Sequence, residues 1–157
     1  MSQSLQTERR HVCELAGTLR AAKAVTPELL SDVIRDACLR FACVPQSEHS
    51  SPINRLIQSG AWTDVALALL DLELPQWHIR RITYDAGEWH CALSRQRELP
   101  DWLDQSIEAS HADFSLAILS ALVEVRRVST VPAETSVPSV PRTTIRLYAP
   151  MCCDNFA

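Results

Sequence analysis

The chain predicts an α+β fold: N-terminal helices, then one antiparallel β-hairpin over about 77–94, covered by a C-terminal helix over about 113–127. Three observations predict it. Apolar residues recur at helical spacing on both sides of a segment whose own period falls to two. That segment, WHIRRITY followed by EWHCALS, folds back at Asp85-Ala86-Gly87. From Ser129 onward the composition shifts to Val, Pro, Ser and Thr, with prolines at 132, 138, 141 and 150. The first two give a single small domain over 1–128, and the third a flexible tail over 129–157, since proline removes backbone donors.

The elements follow in order. Over 8–24, Val12, Leu15, Ala16, Leu19 and Ala22 form one apolar stripe, although Gly17 weakens a helix by about 1 kcal/mol relative to alanine. Thr26, Pro27 and Glu28 open the next helix, over 26–43: a capping hydroxyl, a proline where no N–H is needed, and an anion at the positive end of the dipole. Leu30, Val33, Ile34, Ala37, Cys38 and Phe41 form its stripe. Ser51-Pro52 repeats the signal for a short helix that Gly60 terminates in a left-handed conformation. Thr63 is expected to cap a buried helix over 64–73, which Pro75 closes.

In the hairpin, alanine resists the backbone that a two-residue turn demands, so a three-residue loop with Tyr84 opposite Glu88 is expected. Trp77, Ile79, Arg81, Thr83, Trp89, Cys91 and Leu93 then share a drier face. His78, Arg80, Ile82, Tyr84, Glu88, His90, Ala92 and Ser94 share a wetter one. An isolated hairpin is marginal in water, and the stripe Phe114, Ala117, Ile118, Ala121, Leu122 and Val125 is its candidate cover. Residues 95–111 read as a loop with one helical turn, anchored by Leu99, Trp102, Leu103 and Ile107. In the tail, residues 143–148 (TTIRLY) are the one candidate for an edge strand.

Composition excludes several classes of function. The net charge is −4 and Lys23 is the sole lysine, so no basic footprint for nucleic acid exists. A helix-turn-helix built from 26–43 and 52–59 fails on the same balance and on the long polar gap between them. The N-terminus lacks an apolar core for a signal peptide, and VALALL and LAIL are far shorter than the ~20 residues that span a bilayer. No membrane association is expected, and the location expected is cytoplasmic, where thiols stay reduced. There is no G-x-S-x-G, no phosphate-cradling glycine loop and no H-E-x-x-H. Neither catalytic residues, nor a cofactor, nor a metal site is expected: Cys38 and Cys43 are poorly spaced, and Cys152-Cys153 lack a spacer.

The stretch Asp85-Ala86-Gly87-Glu88-Trp89-His90-Cys91-Ala92-Leu93-Ser94, with Ser110-His111 and Leu116-Ala117-Ile118-Leu119 beyond it, resembles a group of short uncharacterised bacterial proteins sharing a D-x-G-E-W-H-C-x-L-S hairpin. The resemblance covers roughly 60–127. It implies a hairpin-plus-helix module and no activity.

Two site candidates remain. The wetter face, with His78, Arg80, Tyr84, Glu88 and His90, could hold an anion or a partner's carboxylate, because arginine presents a planar fork of donors. Cys91, placed opposite Arg81, is a candidate reactive thiol, with Cys152 and Cys153 the more exposed alternatives; Cys13 and Cys38 are expected as buried thiols. Asp101, Asp104 and Glu108 lie at helical spacing as the wet side of a turn. The function expected is that of a non-enzymatic interaction or regulatory protein whose partner is another protein. Its surface would be the hairpin's wet face and the acidic 98–108 loop. The alternative is a thiol- or metal-dependent protein.

Overall fold

A computed structural model describes residues 2–43, 50–96 and 106–129. Helices α1 (Ser2–Ala21), α2 (Pro27–Ala37), α3 (Leu39–Cys43), α4 (Ser50–Ser59) and α5 (Trp62–Glu73) precede strands β1 (His78–Asp85), β2 (Glu88–Ser94) and β3 (Ile107–His111). Helix α6 (Phe114–Ser129) follows. The strands form an antiparallel sheet in the order β1-β2-β3, with α6 packed on β2 and β3. This is the expected α+β arrangement, with the C-terminal helix packed on the sheet.

Helix α6 is the centre of the molecule. Every residue from Ser115 to Val123 is buried, because the sheet, α5 and α1 contact it on different sides. Leu93 of β2, Leu69 and Leu70 of α5, and Leu15 and Leu19 of α1 join it in one core. Burying a side chain of this size contributes about 1.5–3 kcal/mol, so the core fixes which face of the sheet looks inward.

Local signals operate largely as expected. The Thr26 hydroxyl accepts the Leu29 N–H at 3.2 Å, with Pro27 in the first turn. Gly60 terminates α4 at φ 71°. Asp113 caps α6, its carboxylate accepting the Leu116 N–H at 3.0 Å.

Four expectations are corrected. The helix over 26–43 is two helices, interrupted at Cys38 (φ −109°, ψ 72°). The interruption frees the Arg40 and Phe41 N–H groups, and the buried Glu73 carboxylate accepts both, at 3.2 and 2.6 Å. Thr63 does not cap α5: Ala61 occupies that position without a side-chain bond, and the Thr63 hydroxyl meets Ser115 Oγ of α6 at 2.8 Å. Residues 107–111 form a strand, not part of a loop, and pair along β2 from Trp89↔His111 to Leu93↔Ile107. Glu108 therefore lies on that strand, away from any helical spacing with Asp101 and Asp104, which lie outside the described residues. Lastly, Cys13 is exposed. The expected tail, including 143–148, lies outside the described residues, apart from Ser129, which ends α6.

Candidate functional site

The hairpin turn decides where its side chains point, and it differs from the expected one. Asp85 pairs with Glu88 across a two-residue turn, with Ala86 at φ 51° and Gly87 at φ 91°. Positive φ at both central residues is the turn whose twist suits paired strands. Ala86 accepts a backbone that costs an L-residue about 1–2 kcal/mol, because the inward face of β2 is fixed by the core.

This register moves half of β1 to the opposite face. Tyr84 pairs with Trp89 and Ile82 with Cys91, so both belong to the inner face, while Arg81 pairs with Ala92 and Thr83 with His90 on the outer face. A bulge between Ile79 and Arg81 adds one residue and restores Ile79 to the inner side opposite Leu93. The Tyr84 and Trp89 rings lie 5.0 Å apart, and Trp89 meets Phe114 at 4.9 Å. The proposed set His78, Arg80, Tyr84, Glu88 and His90 is therefore not one surface. Glu88 and His90 share the outer face, Tyr84 lies on the other, Arg80 sits at the bulge, and His78 is exposed at the far end opposite Ser94.

What β3 adds is a polar network on that outer face. Glu108 receives Arg81 Nη2 at 3.4 Å on one oxygen and lies 3.2 Å from His90 Nδ1 with the other. The Ser110 hydroxyl donates to Glu88 at 2.9 Å. Glu108 falls within the expected acidic 98–108 surface, here on a strand instead of a loop, whereas Ser110 lies outside the expected surface. The alternation Ile107, Ala109, His111 against Glu108, Ser110 is the signal that reveals β3.

The thiols lose their reactive reading here. Arg81 and Cys91 lie on opposite faces, so no guanidinium supports a thiolate at Cys91. Burial, and then the Glu108 charge, pushes its thiol up to about 11. At Cys38, burial, and then Glu73, pushes the thiol up to about 12 against an opposing effect of Arg126. Both are packed as small apolar groups. Cys152 and Cys153 lie outside the described residues. Among the described residues, no three His, Cys, Asp or Glu side chains are grouped so as to hold a metal ion.

A buried ion pair joins three helices. The Glu73 carboxylate, wholly buried, pairs with Arg126 of α6 while it takes the two N–H groups at the start of α3. Breaking such a pair leaves an uncompensated charge, so its role here is to fix how α3, α5 and α6 meet.

Concavity lies elsewhere. A cleft of about 770 Å³ runs between β3, the C-terminal part of α1 and one side of α6. Short side chains line it: Ala16, Ala22, Ala109 and Ser120. On the sheet side stand Glu88 and Glu108; on the helix side stand Arg20 and Arg127, both paired with Glu124, and Lys23. Ser120 Oγ is buried and has no hydrogen-bond partner. Such a group ordinarily finds one. His111 also lines the cleft, its Nδ1 accepting the Asp113 N–H at 2.9 Å.

Compared with protein-family models, curated proteins and solved structures, the chain matches none. Among the described residues, no helix is long and apolar enough to cross a membrane.

Proposed function

We propose that this chain is a non-enzymatic, cytoplasmic interaction protein that takes an extended peptide as an added strand along β3. The observation that carries this reading is the cleft beside β3, a strand that among the described residues pairs only with β2. Hydrogen-bond alternation supports it. A two-residue turn makes Asp85 and Glu88 a hydrogen-bonded pair, so Glu88, His90 and Ala92 direct their backbone groups toward β1. Trp89, Cys91 and Leu93 then face β3, which leaves the N–H and C=O of Glu108 and Ser110 directed at the cleft. Strand addition draws affinity from such edge groups and specificity from the pockets for alternate side chains. The described cysteines, Cys13, Cys38, Cys43 and Cys91, are free thiols, which suits a reducing compartment.

The test uses random peptides displayed on phage, panned against the immobilised full chain and against a Ser110→Pro variant. Proline at 110 removes an N–H that faces the cleft and leaves the β2–β3 ladder bonds in place, since edge strands tolerate it there. Recovered sequences, resynthesised, should bind the wild type with Kd values near the micromolar range, about −8 kcal/mol. Ser110→Pro should bind at least about tenfold more weakly, a difference of about 1.4 kcal/mol. Recovery of no binding sequence, or equal binding by Ser110→Pro, would refute the reading.

A further inference from the structure

We infer that the cleft is a docking groove for the chain's own residues 143–148 (TTIRLY), which add as an antiparallel strand to β3 and which a partner's peptide must displace. The inference rests on the reading of β3 as a strand-accepting edge and adds its regulation. Residues 143–148 lie outside the described residues, and three observations select them as the occupant.

The first is shape. Ala16, Ala22 and Ala109 leave a shallow apolar floor, so an added strand needs larger aliphatic side chains on its inner face. With Ile145 opposite Ala109, antiparallel pairing places Leu147 opposite Ile107 and Thr143 opposite His111, all on the inner face. A hydroxyl then comes to the side of the strand where Ser120 Oγ lacks a partner.

The second is charge. The outer face beside β3 carries two carboxylates, Glu88 and Glu108, against the single guanidinium of Arg81, with His90 adding charge only when protonated. The same register sets Arg146 directly opposite Glu108 and Thr144 opposite Ser110. An opposite-charge cross-strand pair is favourable and a like-charge pair is not.

The third is reach. Helix α6 ends at Ser129, and Arg127 in its last turn already lines the cleft. The intervening residues 130–142 can span about 45 Å when extended. A short tether of this kind raises the local concentration of its end to the order of millimolar. Modest strand pairing therefore suffices for occupancy. Among the residues outside the described segments, 130–142 are interrupted by Pro132, Pro138 and Pro141, while 97–105 carry three carboxylates, Glu98, Asp101 and Asp104, which would add negative charge beside Glu108.

The experiment measures amide hydrogen exchange by nuclear magnetic resonance on the full chain, comparing the wild type with an Ile145→Asn/Leu147→Asn double variant. The β2 amides of Cys91 and Leu93 report that the sheet is intact in each protein. Expected is protection of the Glu108 and Ser110 amides in the wild type, with exchange at least about tenfold faster in the variant. A panned peptide that binds the cleft should bind the variant at least about tenfold more tightly, because nothing competes. Fast exchange of Glu108 and Ser110 in both proteins overturns the inference. So does protection that rises with protein concentration, which would assign the groove to a second copy. A peptide that binds wild type and variant equally overturns self-docking and leaves the peptide-binding reading standing.

Discussion

Replacing Arg126 by methionine should destabilise the protein far more than replacing an exposed arginine. The Glu73 carboxylate is wholly buried and has three donors: the Phe41 N–H at 2.6 Å, the Arg40 N–H at 3.2 Å and the Arg126 guanidinium. Arg126→Met leaves two donors and no countercharge, and removing one partner of a buried pair costs about 3–5 kcal/mol. Glu73→Gln is milder. Its amide oxygen still accepts from the start of α3, and Arg126, partly exposed at 22%, can turn toward water. About 2 kcal/mol follows for that change, the cost of one lost charged hydrogen bond. In the double variant neither charge is buried alone. Its loss should therefore fall short of the two single losses combined by about 2 kcal/mol, within the range measured for residues in one network. Urea unfolding followed by tryptophan fluorescence on all four proteins gives the cycle. An Arg126→Met loss below about 1 kcal/mol, within reach of ordinary surface substitutions, would refute the account of a buried charge held by its partner. Strict additivity would refute the coupling.

Ala86→Gly should stabilise the hairpin by about 1 kcal/mol, the strain that alanine carries at φ 51°, and a higher urea midpoint with unchanged slope checks it. Cys38 and Cys91 should resist alkylation by iodoacetamide at neutral pH while Cys13 and Cys43 react, as peptide mass spectrometry would show. The same thiols set an alkaline limit. Their folded pKa values of about 12 and 11 lie above the ordinary 9.0, so the folded state keeps protons that the unfolded chain releases. The stability this confers is full below about pH 9 and lost as the pH climbs toward 11 to 12, and Cys91→Ala should flatten part of that slope in denaturation midpoints. Arg81→Ala should cost less than about 1 kcal/mol, since its bond to Glu108 is long and both groups are well exposed.

The helices were legible because each of their signals is local. Thr26-Pro27-Glu28 and Gly60 act within one turn of chain, and the stripe of α6 repeats often enough to exclude a strand. What failed was set by distant partners. Nothing near Cys38 announces a break; Glu73, more than thirty residues on, makes the break favourable by accepting the two N–H groups it frees. Thr63 carries a capping side chain, yet its hydroxyl bonds better with Ser115 across the core. The hairpin register failed through a local preference: alanine disfavours the tight turn, but Cys91 and Leu93 must face α6, and that burial outweighs the strain at one residue. The wrong register then placed Tyr84 and Arg81 on the wrong faces. Glu88 and His90 stayed in place because β2 is the strand held by the core. The cleft was not legible at all, since it needs a third strand and the end of α1, brought together only by the packing of α6.

The two edges of the sheet are unlike each other, and the difference argues for β3 as the face that does the binding. Unpaired edge groups invite unwanted pairing, and sheets blunt them with bulges, charges or a cover. Strand β1 has two of these devices: a bulge between Ile79 and Arg81, and the adjacent charged side chains Arg80 and Arg81. Strand β3 has no bulge and no proline over its five residues, and Glu108 is its one carboxylate, already engaged with Arg81 and His90. Its remaining defence is the cleft itself, where α1 and α6 wall off the approach and admit a single extended chain more readily than another sheet. An edge left regular, flanked by a groove with a small-residue floor and with carboxylates on its sheet side, is built to be paired selectively.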